Sequence, residues 1–326
     1  MVTHVLVDGF GAKRYFGALR AALEASPVQL LIYRPDIAPF DFRRGRLRRL
    51  HRKLAVVDAR IAFVGGINVI DDHNCPGHTP PRVDFAVRIE GPLVADVRAA
   101  VAELWQIVAW ASFRRRPREP VAVAPPWPPL GFQRAALVLR DNLRHRSDIE
   151  DAYLAAIESA TDEIVIACAY FFPGRPFRRA LVAAAARGVT VKLLLQRRVE
   201  YVLLHYASRA LYGTMLDAGV QIHEYGRSFL HAKVAVVDGR WATVGSSNID
   251  PFSLLLAREA NVVAEDRRFA HEVRDALHRM IEYGSVPVAR LRWRKKPLAL
   301  RLRIWLAYGV SRLLIGLFGY GGRGNY

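Results

Sequence analysis

Residues 51–70 read HRKLAVVDARIAFVGGINVI and residues 231–250 read HAKVAVVDGRWATVGSSNID. Eleven of the twenty aligned positions are identical at a constant offset of 180. Because the matches include His, Lys, Asp, Arg, Gly and Asn, they go beyond two strands both being apolar, and the chain is a duplicated unit. In each copy Asp58-Ala59 or Asp238-Gly239 breaks the apolar run in two, as a hairpin turn would. With those pairs as the turn, position 57 faces 60, 51 faces 66 and 231 faces 246. Asn68 and Asn248 then come to the same end as His51 and His231. Strand alternation puts His51 with Lys53, and His231 with Lys233, on one face.

The repeat extends weakly outward. Residues 22–30 resemble 215–222, and residues 2–7 resemble 189–194. Upstream of that, the second unit has about forty residues without a counterpart: a helix opened by the capping box Ser147-x-x-Glu150, a strand near 163–170 and a helix ending near Gly188. The first unit thus opens in mid-unit, short at its N-terminus. Between the units stand Arg114-Arg115-Arg116-Pro117 and Pro125-Pro126-Trp127-Pro128-Pro129, a stiff linker without regular structure. The expected organisation is a first lobe over 1–113, a linker over 114–131, a second lobe over 132–289 and a tail over 290–326. Strands are expected at 2–7, 28–33 and near 83–89, and helices at 12–25, 93–111, 202–217 and 266–282. That alternation predicts α/β lobes, helices packing on mixed sheets.

Composition bounds the reading. A chain of 326 residues, 52% hydrophobic and 24% charged, can build a large core and is not a disordered sequence. Its formal charge of +18 calls for a polyanion, nucleic acid or an anionic membrane surface. Only 6 of the 48 basic residues are Lys, and two of those six stand in the repeats. Cys75 and Cys168 cannot make a disulfide framework, and Cys168 lies in an apolar run, so a reducing compartment is expected. The first residues carry neither a cationic nor an apolar signal region, and no window of eighteen uninterrupted apolar residues predicts a spanning helix.

Each lobe offers an imidazole, an ammonium and a carboxamide at one rim. Lys53 and Lys233 suit phosphoryl oxygens as compact cations, Asn68 and Asn248 add neutral donors, and a His serves as nucleophile or proton carrier near neutral pH. Phosphoryl transfer through a covalent intermediate needs a nucleophile on one side and a general acid opposite, which two facing lobes supply. An acid opens an apolar strand downstream of each unit, Asp84 in the first and Glu259 in the second. The nearest pairing in sequence sets Asp84 on His51 and Glu259 on His231, each fixing a tautomer. Asp58 and Asp238 suit turn residues, with a buried ion pair as the alternative. The cluster Asp71-Asp72-His73-x-Cys75 lacks a second ligand pair and is expected to be a loop.

These motifs, His51-x-Lys53-x4-Asp58 with Gly65-Gly66-x-Asn68 and His231-x-Lys233-x4-Asp238 with Gly245-Ser246-x-Asn248, resemble the paired HKD motifs of the phospholipase D superfamily. Within it the chain is similar to short bacterial cardiolipin synthases without N-terminal membrane helices. The resemblance implies two pseudo-twofold-related lobes and a transfer that uses no metal and no cofactor. It also implies a catalytic set of His51, Lys53, Asp58, His231, Lys233 and Asp238. His51 would attack a phosphatidyl phosphorus and His231 would protonate the departing alcohol, with Lys53, Lys233, Asn68 and Asn248 holding phosphoryl oxygens. Donor and acceptor would both be phosphatidylglycerol, and glycerol would leave.

Arg290, Arg292, Arg294, Lys295, Lys296, Arg301 and Arg303 lead into an apolar run with Trp305 and Tyr308, interrupted by Arg312. That order suits an interfacial helix on anionic lipid, with a helix packed on the protein's own core as the alternative. Arg43, Arg44, Arg46, Arg48 and Arg49 form a second basic stretch just before His51. The expected partners are an anionic phospholipid membrane and phosphatidylglycerol, with no nucleic acid and with room for a homo-oligomer. The expected location is peripheral, on the cytoplasmic face of the inner membrane. A phospholipase D or nuclease-type phosphodiesterase using the same two histidines and a non-catalytic membrane adaptor are the rival readings.

Overall fold

The computed structural model describes residues 3–12, 16–34, 49–75, 77, 79–112, 128–141, 144–250 and 257–318. Residues 114–127 of the expected linker, and Arg43, Arg44, Arg46 and Arg48, lie outside them. The first lobe runs β1 (Thr3–Asp8), α1 (Phe16–Glu24), β2 (Val28–Tyr33), β3 (Arg49–Leu50), β4 (Lys53–Val57), β5 (Ile61–Gly65), β6 (Arg82–Val83), β7 (Ala86–Glu90) and α2 (Leu93–Ala111). The second runs β8 (Arg134–Arg140), α3 (Asp148–Ser159), β9 (Glu163–Cys168), α4 (Arg175–Ala186), β10 (Thr190–Gln196), α5 (Val202–Arg209), α6 (Tyr212–Asp217), β11 (Gln221–Tyr225), β12 (Phe229–Leu230), β13 (Lys233–Val237), β14 (Trp241–Gly245), β15 (Ala257–Glu265) and α7 (Arg267–Gly284). Then follow β16 (Ser285–Pro287), α8 (Arg290–Arg294) and α9 (Leu298–Phe318).

In the second lobe the sheet order is β16-β11-β10-β9-β13-β14-β15, with β8 also on β15. The strand β9 is buried along its whole length, because it is central and covered on both faces. It runs parallel to β10 and antiparallel to β13, and so joins the parallel half of the sheet to the hairpin half. Its core includes Ile164, Ile166, Phe177, Leu181, Leu193 and Met215. The first lobe repeats the flanks without that centre. There β1 pairs with β2 in one parallel sheet and β4-β5-β7 form another, with no strand between them among the described residues. The helix α2 packs against β2 and also against β4, β5 and β7, spanning the two sheets as α7 spans β11, β9 and β13 in the second lobe. The stretch of the second unit that lacks a counterpart thus contains the strand that makes its sheet continuous.

The hairpins depart from the expected register by one residue. The turn closes where expected, with the Arg60 N–H donating to Val57 O at 3.0 Å and the Arg240 N–H to Val237 O at 3.1 Å. Asp58 and Ala59, and Asp238 and Gly239, all have positive φ, as a type I′ turn requires. Arg60 and Arg240 are nevertheless extra to the ladder, so Val57 faces Ile61 and Val237 faces Trp241. The capping box is also altered, because the Ser147 hydroxyl donates to Asp151 at 2.6 Å instead of capping an amide. The helix expected over 202–217 is divided into α5 and α6.

Two short strands tie the lobes together. The strand β3, just before His51, pairs in parallel with the start of β15. Its counterpart β12, just before His231, pairs in parallel with β6. Each motif therefore enters its hairpin along a strand of the other lobe.

Candidate active site

That exchange sets which acid meets which imidazole. The His51 N–H donates to Arg258 O at 3.0 Å, and the His231 N–H donates to Val83 O at 2.8 Å. Each backbone is thus held one residue ahead of an acid from the opposite lobe. His51 Nδ1 lies 2.9 Å from Glu259 Oε1 and 3.0 Å from Oε2, and His231 Nδ1 lies 2.6 Å from Asp84 Oδ2. The pairing expected from the sequence, Asp84 with His51 and Glu259 with His231, is corrected to the reverse. An ionised carboxylate only accepts, so the hydrogen-bond network assigns the proton to Nδ1 of each ring and leaves a lone pair on Nε2.

The lysines stand beside their histidines, as alternation requires. Lys53 Nζ donates to His51 O at 2.8 Å. Lys233 Nζ donates to His231 O, lies 2.8 Å from His231 Nδ1 and donates to Asp84 Oδ2 at 3.4 Å. Burial pulls the Lys53 ammonium down to about 7, with Lys233 adding to the fall. Burial, then Lys233, lowers His231 to about 3 against the pull of Asp84, and Lys53 contributes. Each lysine thus acts on a group of the opposite half-site, Lys233 on Lys53 and Lys53 on His231. Burial alone would raise the carboxyls. At Asp84, Lys233, His231 and the Phe85 amide together outweigh it, and at Glu259 His51, Lys53 and Ser246 together do so, so both acids titrate below their ordinary range.

The halves are not equivalent. The His51 side chain is 33% exposed and that of His231 10%. Glu259 is fully buried and also accepts from Ser246 Oγ at 2.5 Å, whereas Asp84 faces Gly66. Arg52, between the His and Lys of the first motif, donates from Nε to Glu259 O at 2.9 Å and from a terminal nitrogen to Arg140 O at 3.1 Å, fixing the strand that carries Glu259. Neither Ser246 nor Arg52 was singled out by sequence reasoning. The legible signal was that both positions differ between the copies, Gly66 against Ser246 and Arg52 against Ala232.

Other expected site residues fall in different places. Asn248 is buried, with Oδ1 4.0 Å from Cys168 Sγ, and Asn68 is half-buried in the matching loop. Asp58 and Asp238 stand at the far ends of their hairpins, about 17 Å along the strand from the lysines. Asp238 accepts from the amides of Thr161, Asp162 and Glu163 and from the Thr161 hydroxyl, at 2.9–3.0 Å. Asp58 is exposed at its turn. The catalytic placing of these two aspartates is corrected to a structural one, because the hairpin carries them away from the imidazoles. Asp71 accepts from the His73 amide and Cys75 donates to Asp72 O, bonds of a compact loop.

In the tail, α9 packs on the protein's own core along one side and leaves an apolar side exposed. Ile304, Ala307, Ser311 and Ile315 are buried on the side packed along α5, where Tyr308 meets Phe172 at 5.8 Å between ring centroids. Leu298, Leu302, Trp305, Leu306 and Leu313 are exposed on the opposite side. No helix among the described residues is long and apolar enough to cross a membrane.

Residues 153–281 match the family described as cardiolipin synthase, PLD-like domain. Cardiolipin synthase B of Escherichia coli (strain K12) is 42% identical over 287 residues, 85% of this chain and 66% of that protein. Cardiolipin synthase A of Proteus mirabilis is 29% identical over 95% of this chain and 64% of its own length. The chain thus spans about two thirds of the length of the curated relatives it matches. Among solved structures, phosphatidylserine synthase of Haemophilus influenzae shares the fold, with a TM-score of 0.67 and 14% identity over 96% of this chain and 82% of that one. With the paired motifs, the two-lobed fold and these relatives in agreement, the chain belongs to the phospholipase D superfamily, among the relatives of the bacterial cardiolipin synthases.

Proposed function

We propose that the protein is a phosphatidyltransferase of the cardiolipin synthase type, moving a phosphatidyl group from one phosphatidylglycerol to another and releasing glycerol. The observation that carries this reading is the pair of crossed His–acid dyads around one lysine-rich centre, in a chain 42% identical to a cardiolipin synthase B. His51 Nε2 attacks phosphorus and the bond to the glycerol oxygen breaks, giving phosphohistidine. His231 delivers the proton to that oxygen and then takes one from the incoming hydroxyl, which displaces His51. Lys53, Lys233, Asn68 and Asn248 hold the phosphoryl oxygens. His231 is depressed to about 3 without substrate, and an anionic phosphodiester between the lysines offsets their repulsion and restores its proton.

The exposed side of α9 and its arginines, on a chain of formal charge +18, seat the protein on anionic lipid from the cytoplasmic side of the inner membrane. The test is incubation with phosphatidylglycerol vesicles and lipid analysis. Cardiolipin and glycerol in equal amounts are expected, whereas cleavage of DNA without lipid product overturns the reading in favour of a nuclease. Radiolabelled phosphate trapped by acid quench is expected on protein with His231→Asn and absent with His51→Asn; label on His231 reverses the two roles.

A further inference from the structure

The carboxyl ends of β9 and β10 lie beside Lys233, since Cys168 faces both Lys233 and Leu195. From there the chain runs outward along the half-site of His231. The Ala169 N–H donates to the carbonyl of Ala232, next to His231, at 2.9 Å, and the Phe172 N–H donates to that of Ile249, next to Asn248, at 2.7 Å. The helix α4 begins shortly afterwards, at Arg175. The tail helix reaches the same rim, with Tyr308 5.8 Å from Phe172 and Trp305 5.8 Å from Tyr308 between ring centroids.

Arginines gather on this rim from two elements. Arg175 and Arg178 stand one turn apart on α4, and Arg312 stands one turn beyond Tyr308 on α9. Burial lowers the Arg178 guanidinium, Tyr308 offsets part of that, and Arg312 and Arg175 lower it further. Its Nε is buried without a hydrogen-bond partner, and no acid pairs with any of the three arginines among the described residues. Other partly buried cations are matched, Lys192 and Arg274 by Glu163 and Arg209 by Glu224. Like charges held together without a counter-ion repel, and a buried donor left unmade is costly. An anion with several oxygens relieves both, and the guanidinium fork suits a phosphodiester.

Such an anion arrives with the second substrate. A phosphatidylglycerol acceptor carries its own phosphodiester at the other end of the glycerol from the hydroxyl that reacts. Displacement at phosphorus is in line, so the donor's glycerol leaves on the side opposite His51, where His231 stands, and the incoming hydroxyl takes its place. That hydroxyl gives its proton to His231 Nε2, its oxygen bonds to phosphorus, and the bond from phosphorus to His51 Nε2 breaks. The rest of the acceptor then extends over the rim of the second lobe, with the exposed Trp305 and Leu306 of α9 available to its chains. We propose that Arg175, Arg178 and Arg312 form the subsite for the phosphodiester of the acceptor lipid, separate from the lysines that hold the reacting phosphorus. This rests on the phosphatidyltransferase reading above.

The test uses dihexanoyl phosphatidylglycerol below its micelle-forming concentration, so that attraction to a charged bilayer plays no part. Two reactions are followed: formation of cardiolipin, and exchange of radiolabelled glycerol into phosphatidylglycerol, in which the acceptor has no phosphate. Arg178→Gln and Arg312→Gln are each expected to slow cardiolipin formation about tenfold or more at subsaturating lipid and to leave glycerol exchange at the wild-type rate. Exchange also reports the fold, since it needs both imidazoles. Arg179→Gln, which removes the same charge from another side of α4, is expected to keep the wild-type ratio of the two reactions. Equal losses in both reactions overturn the proposal, because the arginines then serve the donor or the fold. So does a loss in Arg179→Gln as large as that in Arg178→Gln, the mark of general attraction to an anionic lipid. A wild type that makes no cardiolipin, in this form or in vesicles, defeats the proposed function. A wild type that makes it, beside Arg178 and Arg312 variants with an unaltered ratio, defeats the subsite alone.

Discussion

Lys53 is the residue on which the chemistry and the stability of the site pull in opposite directions. Its ammonium is held to about 7 by burial and by Lys233, so near neutral pH it is only partly charged. As the proposed phosphate ligand it acts as a cation. The profile of kcat/KM for the free enzyme is therefore expected to fall as pH rises through about 7, and Lys53→Arg is expected to carry that limb to higher pH. From about 7 up to the ordinary lysine value of 10.5 the unfolded chain holds a proton that the folded one has lost, so in this window folding stability rises with pH. Lys53→Met is accordingly expected to raise the unfolding temperature at neutral pH while abolishing turnover, checked by calorimetry beside the vesicle assay. The type and spacing of these residues were legible in the sequence because the repeat displays them twice. Their partners were not, since Glu259 is 208 residues from His51 and Asp84 is 147 from His231, and sequence proximity favours the wrong acid in each case.

At the scale of the element, the hairpins and the tail separate function from support. Asp238 receives three backbone amides from the turn before β9, so Asp238→Ala is expected to cost about 1–3 kcal/mol in denaturant unfolding and to leave kcat unchanged. Asp58→Ala, at an exposed turn, is expected to cost far less. A hairpin was legible from Asp-Gly between apolar runs, but the extra Arg60 and Arg240 in the ladder were not, because a one-residue bulge leaves the hydrophobic pattern nearly intact. For α9 the hydrophobic pattern allowed either a packed or an interfacial helix, and it serves the first on one side while leaving the second open on the other. Leu306→Asp, on the exposed side, is expected to preserve the fold and to weaken binding to anionic vesicles by about tenfold or more. That matches loss of the roughly 1.5–3 kcal/mol available from burying a leucine. Flotation at low and high salt separates this apolar share from the charge of the arginines.

For the molecule as a whole, both cross-lobe dyads respond to acid in the same direction. Asp84 and Glu259 are held below their ordinary values, so the stability they contribute is present at neutral pH and is lost as pH falls through those depressed values. Between its ordinary 6.5 and about 3, His231 stays neutral in the folded protein while the unfolded chain takes up a proton, so stability again falls with pH. The unfolding temperature is expected to drop steadily below about pH 6.5, and Asp84→Asn is expected to flatten that dependence. The lobed α/β architecture was legible because alternating strands and helices recur at one offset. That the described residues of the first lobe have no counterpart of β9 accords with the stretch of the second unit that has no repeat partner, and which neighbours that strand joins needed the second lobe to show it.

The exchange of acids between lobes also makes the two copies mutually dependent. A lone unit carries a histidine without its carboxylate and a carboxylate without its histidine, so it could become competent only by meeting another unit about a twofold axis. Fusing the two into one chain keeps that reciprocity while releasing the halves from having to be identical. One half can keep a glycine and the other acquire a serine, and a symmetric pair of imidazoles can divide the labour of attack and proton delivery.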